Sequence, residues 1–201
     1  KWRNEFFAVA PRWGEEPHFR LDRGAVPFFG TQGRGVHLNG FRRDGANLLM
    51  WLGRRAPDKK VAPSKLDNLV AGGIAWTEGV WETLVKEAHE EAGIPAELIA
   101  RAYPAGAVTY RMETELGLRD DTLFVYDIEV PQEFEPHCID GEIVEFMLRP
   151  ASDAVAIAAA GDEFKFNVNL VIIDFALRHG LVHPADPDYL ALATGLHQPP
   201  A

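Results

Sequence analysis

The chain of 201 residues, 47% hydrophobic and 25% charged, is long enough for one globular domain with an extension, or for two small domains. Its formal net charge of -10 argues against binding to nucleic-acid polymers, because a surface that follows phosphates needs clustered Lys and Arg. No apolar run approaches the roughly 20 residues that span a bilayer, so no membrane partner is expected. Cys138 is the only cysteine, which excludes an intrachain disulfide and predicts a cytoplasmic location.

The N-terminal segment, residues 1–34, mixes aromatic side chains with charged residues, proline and glycine. A disordered tail would be poor in aromatic residues, so this segment is predicted to pack. Residues 4–9 are predicted to form a strand, and residues 20–26 a second element. We therefore expect a small N-terminal extension over residues 1–34, docked on a main domain that spans residues 35–201.

Two strands and a glycine-rich loop open the main domain. Residues 36–41 and 47–55 are predicted strands, and Asp44-Gly45 between them is a strong hairpin signal. Residues 66–74 then form a short strand that runs into Gly72 and its neighbouring glycine. Glycines at this point allow the backbone to approach another group closely.

The next segment is a helix that carries three carboxylates. Gly72 is followed after five residues by Glu78, and after seven more by Lys86 and the carboxylates Glu87, Glu90 and Glu91. Residues at i, i+3 and i+4 lie on one helical face, so these three carboxylates project together. They would repel one another without a cation. Because carboxylate oxygens are hard ligands, the pattern predicts Mg²⁺, with Mn²⁺ as an alternative.

The opposite face of this helix is apolar at helical spacing, which predicts that it packs on the core and leaves the carboxylates free. Its members are Trp81, Leu84, Val85, Ala88 and Ala92. Gly93, which precedes Ile94-Pro95, predicts the end of the helix, since glycine suits a left-handed cap and proline cannot continue the helix.

The C-terminal half alternates further strands with helices. Strands are predicted at 105–112, 122–130 and 142–148, and a short helix or turn at 97–101. Helices are predicted at 152–160, with Ser152-Asp153 as its cap, at 163–179, and from 186 onward.

The pattern from Gly72 to Ile94 resembles the Nudix box of the Nudix hydrolases. Seven of the nine specified positions match, and the two departures are Lys86 in place of arginine and Ala88 in place of a bulky aliphatic residue. The resemblance implies an α/β fold, the Nudix-type α/β/α sandwich with a mixed β-sheet, here with a small N-terminal α+β extension. It also implies hydrolysis of a diphosphate linkage in a small molecule by metal-activated water.

The resemblance assigns roles to the box residues. Glu87, Glu90 and Glu91 are expected to bind the metal, with the carbonyl of Gly72 completing its shell. Glu91 and Glu90 are the expected catalytic residues, and either Glu91 or a more distant Glu accepts the proton of the water. Glu78, Lys86 and Gly93 are expected to hold the motif in shape. The family often recruits a carboxylate from outside the box, and the candidates for that role are Glu142 and Glu145.

The flanking segments 28–30, 35–41, 66–74 and 162–167 resemble one branch in particular. This branch comprises the Nudix proteins related to a segment associated with thiamine pyrophosphokinase, in which a domain of unknown function precedes the Nudix fold. That branch implies conversion of thiamine diphosphate, or its oxo and oxy analogues, to the monophosphate. Candidate substrate contacts are Asn39, Lys165, Asn167 and Phe166. The alternatives are another nucleoside diphosphate derivative as substrate, or a non-catalytic regulatory module. The oligomeric state stays open, a homodimer included.

Overall fold

The computed structural model describes residues 2–198, which form nine strands and six helices. The strands are β1 (Phe6–Val9), β2 (Phe19–Asp22), β3 (Gln32–Asp44), β4 (Asn47–Arg55), β5 (Leu66–Asp67), β6 (Val70–Gly73), β7 (Tyr103–Thr114), β8 (Gly117–Glu129) and β9 (Ile143–Pro150). The helices are α1 (Val26–Phe29), α2 (Val80–Ala92), α3 (Ala96–Ile99), α4 (Ala151–Ala160), α5 (Val168–Arg178) and α6 (Tyr189–Gly195). None of these helices is both long and apolar enough to cross a membrane.

Strand β3 lies at the centre of a seven-stranded mixed sheet. It runs parallel to β8 and antiparallel to β4 and β6, and the strand order is β5-β4-β3-β8-β7, with β9 paired to β4. The predicted hairpin is present, because Asp44 pairs with Asn47 and Gly45 adopts φ +57° in the two-residue turn.

Helices cover both faces of this sheet, so the predicted α/β/α sandwich is confirmed. Side chains alternate along β3, and Val36 and Leu38 pack toward α2, where Leu84, Ala88 and Ala92 are fully buried. Phe41 faces the other way, into a cluster with α4 and α5. Trp81, which the helical spacing assigned to the packed face, is 40% exposed and rests beside Tyr126 instead.

The N-terminal segment forms its own antiparallel pair, β1 with β2, beside the main sheet. It docks next to the glycine loop, where the N–H of Trp76 donates to the carbonyl of Phe6 at 2.7 Å. The ring of Trp13 packs on Phe124 of β8, with 4.8 Å between ring centroids. The predicted boundary between the N-terminal extension and the main domain, after residue 34, falls inside β3, which begins at Gln32. This boundary stays a proposal.

Three helix starts differ from the sequence predictions. Helix α5 begins at Val168 and not at 163, because backbone hydrogen bonds of 2.9 Å from Leu66 N to Glu163 O and from Lys165 N to Leu66 O hold that segment against β5. Helix α4 begins directly after Pro150, so Ser152 and its neighbour lie inside the helix and do not cap it. Helix α6 begins at Tyr189, after the predicted start.

Candidate functional site

Helix α2 and the glycine loop before it position the box carboxylates. The helix ends at Gly93, which adopts φ +61°. Its N–H donates to the carbonyl of His89, and the N–H of Ile94 donates to the carbonyl of Ala88, both at 3.0 Å. These bonds satisfy carbonyls that would otherwise be unpaired at the helix end, so the helix stops directly after the carboxylates.

Glu91 is buried and not on the free face expected from the sequence. Its residue is 3% exposed, and its Oε2 accepts a hydrogen bond of 2.8 Å from the N–H of Ala71. Burial raises the pKa of the Glu91 carboxyl well above its ordinary value, and the negative charge of Asp67 raises it further. The Ala71 hydrogen bond opposes this rise but does not cancel it. In the metal-free protein the Glu91 carboxyl therefore keeps its proton to a higher pH than an exposed glutamate does.

Glu87 is partly buried against the glycine loop. A Cβ on Gly72 would overlap the Glu87 side chain, so only glycine lets the two approach this closely. Burial raises the pKa of Glu87 to about 7, and the charges of Glu90 and Glu142 add to the rise. The ammonium of Lys86, 3.8 Å from Glu87 Oε1, acts in the opposite direction.

Glu78 connects the loop to the helix. The Nζ of Lys86 donates to its Oε1 at 3.2 Å, and the hydroxyl of Thr83 donates to its Oε2 at 3.1 Å. Lys86 therefore contacts Glu78 and lies near Glu87, although its ammonium cannot form the bidentate hydrogen bonds that a guanidinium makes with a carboxylate.

The structure distinguishes the two carboxylates outside the box. Glu142 lies near enough to Glu87 to raise its pKa, and it also forms an ion pair with Lys59. Glu145 pairs with Arg54 on β4, at 3.4 Å. Of the two, Glu142 is the one that the fold brings toward the box.

The donor set suits a hard divalent cation, although within residues 2–198 no three His, Cys, Asp or Glu side chains stand close enough together to hold one. Glu87 and Glu91 have raised pKa values, so ionising them together is costly in the metal-free protein. A bound cation would remove that cost. The groups that fit it are the carboxylates of Glu87, Glu90 and Glu91, with the Gly72 backbone beside them.

Two of the candidate substrate contacts have internal partners. Asn39 is 1% exposed; its Oδ1 accepts from Asn68 at 2.8 Å, and its Nδ2 donates to Asp127 at 3.0 Å. The Nζ of Lys165 donates to Asp67 at 3.1 Å, and its charge lowers the pKa of that carboxyl. A ligand would have to displace these bonds.

The other two candidates lie at the start of α5. Phe166 packs under the guanidinium of Arg119, 5.0 Å from the ring centroid, and edge-on to Tyr110. Asn167 is 6% exposed, and its Oδ1 has no hydrogen-bond partner among the described residues. This acceptor is closed off from solvent, so a substrate contact at Asn167 stays a prediction.

Sequence reasoning missed the buried polar network behind the box. Asp67 accepts from Arg55 at 2.7 Å, and His37 Nδ1 lies 2.7 Å from Asn68 Oδ1. Burial lowers the pKa of His37 to about 4, so it is neutral at pH 7. The sequence feature that could have predicted this network is the polar pair Asp67 and Asn68 between apolar residues, because adjacent polar residues are unusual in a short buried segment.

Two curated relatives from Arabidopsis thaliana are similar over 94% of this chain. Nudix hydrolase 24, chloroplastic, is 43% identical, and Nudix hydrolase 20, chloroplastic, is 42% identical. The chain spans about half the length of these relatives, 52% and 51%. Both are named hydrolases, which supports the enzyme class expected from the sequence. Among solved structures, DR0079 from Deinococcus radiodurans matches with a TM-score of 0.64 and 21% identity, covering 84% of this chain and 96% of that one.

The names of the plant relatives correct one prediction. Both are chloroplastic, so the cytoplasmic location predicted from the sequence is wrong. A single cysteine reports only that no intrachain disulfide forms, and a reducing interior is not unique to the cytoplasm.

Two family models match the chain. Residues 1–33 match a domain of unknown function, DUF4743, and residues 32–168 match the NUDIX domain. The NUDIX match covers the glycine loop, the carboxylate helix and every strand of the main sheet. The chain therefore belongs to the Nudix domain family.

Proposed function

We propose that this protein is a Mg²⁺-dependent hydrolase of a diphosphate linkage in a small molecule. The observation that carries the proposal is the pair of desolvated carboxylates, Glu87 and Glu91, both with raised pKa values and both against the loop that contains Gly72. Perturbed carboxylates gathered at one site are characteristic of catalytic and metal-binding centres.

Each residue has a distinct role in this proposal. A divalent cation, when bound, polarises phosphoryl oxygens and lowers the pKa of a water molecule. Glu87, Glu90 and Glu91 would hold it, with the carbonyl of Gly72 completing its shell. The Ala71 N–H fixes Oε2 of Glu91, which leaves Oε1 as the atom that would take a proton from a water molecule once Glu91 is ionised, with Glu90 as the second proposed catalytic residue. Glu142 is the carboxylate recruited from outside the box.

The proposed substrate is thiamine diphosphate, or its oxo or oxy analogues, cleaved to the monophosphate and phosphate. Two observations support this choice: the sequence resembles the branch associated with thiamine pyrophosphokinase, and residues 1–33 match a domain of unknown function directly before the NUDIX domain. The alternative, a nucleoside diphosphate derivative, is supported by family membership.

A substrate panel tests these proposals. The protein is incubated with thiamine diphosphate, oxothiamine diphosphate and a set of nucleoside diphosphate derivatives, each with Mg²⁺, Mn²⁺ or EDTA, and the products are resolved by chromatography. We expect metal-dependent formation of thiamine monophosphate. Turnover of nucleotides with none of the thiamine compounds would refute the thiamine proposal. Absence of turnover with every compound and both metals would favour a non-catalytic module.

A further inference from the structure

A cavity of about 280 Å³ lies where β3, β7 and β8 meet the N-terminal segment and the chain after α6. Its polar lining includes Gln32, Arg34 and Thr122, and the rings of Trp13 and Phe124 form apolar walls. Within residues 2–198, no side chain of the Nudix box lines this space. This cavity, which we call the sheet cavity, is therefore separate from the carboxylate site.

Strand geometry brings three hydrogen-bond donors to the sheet cavity. Arg34 lies opposite Thr122 in the parallel pair of β3 and β8, and Gln32 precedes Arg34 by two residues on β3. Opposite residues, and residues two apart on one strand, project from the same face of a sheet. That face is the one from which Val36 packs toward α2. The three side chains therefore project side by side.

These side chains carry donor atoms that have no acceptor. Nε and Nη2 of Arg34 both donate to Oε1 of Gln32, at 3.1 and 2.9 Å. Within residues 2–198, Nη1 of Arg34, Nε2 of Gln32 and Oγ1 of Thr122 have no hydrogen-bond partner. None of these three atoms is sealed from solvent. A molecule with acceptor atoms can therefore enter the cavity and satisfy them.

The charge of the sheet cavity selects an anion. In the described part of the chain, Arg34 pairs with no carboxylate, and no Asp or Glu lines the cavity. Partial burial lowers the pKa of the Arg34 guanidinium, which still stays charged at neutral pH. A desolvated cation without an anion is costly. A carboxylate or a phosphate would remove that cost, and its oxygens match the planar fork of a guanidinium.

The aromatic walls add an apolar part to the site. The guanidinium of Arg34 lies 4.9 Å from the ring centroid of Trp13, and that ring packs on Phe124 at 4.8 Å between centroids. Trp13 is nevertheless 53% exposed, so part of its ring is free to contact a ligand. Pockets for drug-sized ligands have volumes of about 300–1,000 Å³. A cavity of about 280 Å³ therefore suits a smaller molecule, of about one ring.

We propose that the sheet cavity binds a small organic anion, an apolar ring that bears a carboxylate or a phosphate. Arg34 and Thr122 donate to the oxyanion, and Trp13 covers the ring. Because Trp13 belongs to the N-terminal segment, the bound anion contacts both that segment and the main sheet, and so links them. This site is independent of the proposed hydrolase function.

Two one-ring anions, benzoate and phenyl phosphate, are the probes, and benzyl alcohol is the neutral control with the same ring. Their affinities are measured by titration calorimetry in EDTA. Under this condition the box carboxylates hold no cation and repel anions, so the carboxylate site does not contribute to binding. A difference between benzoate and phenyl phosphate then identifies which oxyanion the cavity prefers.

Two cavity variants are compared with the wild type, each with a matched control. Arg34→Met removes the charge and keeps an apolar stem. Its control is Arg20→Met, because Arg20 also lies over an aromatic ring, 4.8 Å from the centroid of Phe6, but does not line the cavity. Thr122→Val removes the hydroxyl group at nearly constant shape, and Thr77→Val does so in the exposed loop before α2.

We expect at least one of the two anions to bind the wild type with a Kd of about 1 mM, and benzyl alcohol to bind about tenfold more weakly or less. Arg34→Met should weaken anion binding about tenfold or more, as for the loss of a charge-assisted hydrogen bond. Thr122→Val should weaken it about threefold, as for a neutral hydrogen bond. Both control variants should bind like the wild type. Thr122→Val keeps the test valid if Arg34→Met fails to fold.

Three results would overturn the proposal: no binding of either anion to the wild type, unchanged binding in both cavity variants, or equal affinity for benzyl alcohol. Weaker binding in the cavity variants but not in their controls would support it. The assay contains no divalent metal and requires no hydrolysis. Its failure therefore leaves the proposed function untouched, and a protein that hydrolyses no diphosphate can still bind these anions.

Discussion

Replacing Glu87 with glutamine should stabilise the metal-free protein at neutral pH. In the folded chain the pKa of Glu87 rises from 4.5 to about 7, mainly because the carboxyl is buried. A carboxyl with a raised pKa binds more protons in the folded state than in the unfolded state. Stability is therefore lost as the pH rises from the unfolded value of 4.5 through the folded value of about 7.

The size of this effect follows from the pKa difference. A rise from 4.5 to about 7 corresponds to about 3 kcal/mol at a pH above both values, at 1.36 kcal/mol per pH unit. The pKa of about 7 already includes the attraction to Lys86 at 3.8 Å, but the buried amide of Glu87→Gln keeps a desolvation cost of its own, so the net gain should be about 1–2 kcal/mol. For a chain of 201 residues that gain raises Tm by about 2–8 °C.

The assay is thermal unfolding of the wild type and of Glu87→Gln in EDTA, at pH 8 and at pH 4.5. We expect the variant to be more stable at pH 8 and the two proteins to converge at pH 4.5. Added Mg²⁺ should then raise Tm in the wild type and much less in the variant. A variant that is less stable at pH 8 in EDTA, or equally stabilised by Mg²⁺, would show that the reasoning about this carboxylate is wrong.

Three further predictions concern the box and the network behind it. Glu91→Gln should lower Mg²⁺-dependent diphosphate hydrolysis by about 10²-fold or more, while Glu97→Gln on the exposed surface of α3 should not, as steady-state rates would show. Gly72→Ala should cost about 1–3 kcal/mol in urea unfolding because its Cβ overlaps Glu87, whereas Gly195→Ala, with open space around it, should be tolerated. Asp127→Asn should cost about 3–5 kcal/mol in the free energy of unfolding at pH 7, because it removes the charge of a fully buried carboxylate that pairs with the mostly buried guanidinium of Arg178. Its hydrogen bonds and the Arg178 charge lower the pKa of Asp127, so this difference should shrink as the pH falls below about 4; a constant difference in denaturant titrations would contradict that assignment.

Local signals in the sequence were sufficient for most of the strands, for the hairpin and for the box helix. Asp44-Gly45 specifies a tight turn through residues that tolerate positive φ, and Gly93 specifies a left-handed helix end for the same reason. The start of α5 could not be predicted in this way. Residues 163–167 are compatible with a helix, and only their hydrogen bonds to Leu66, which is distant in sequence, keep them out of it.

The sequence by itself determined that three carboxylates share a helix that begins after a glycine loop and ends at Gly93, because helical spacing and glycine geometry are local properties. The tertiary structure decided how those carboxylates differ: Glu91 is buried against Ala71, and Glu87 against Gly72. It also gave different surroundings to Glu142 and Glu145, which are equivalent candidates in the sequence. Pairing of β9 with β4 places Glu145 opposite Arg54 and leaves Glu142 near the box, since strand register is fixed by non-local contacts that no sequence window contains.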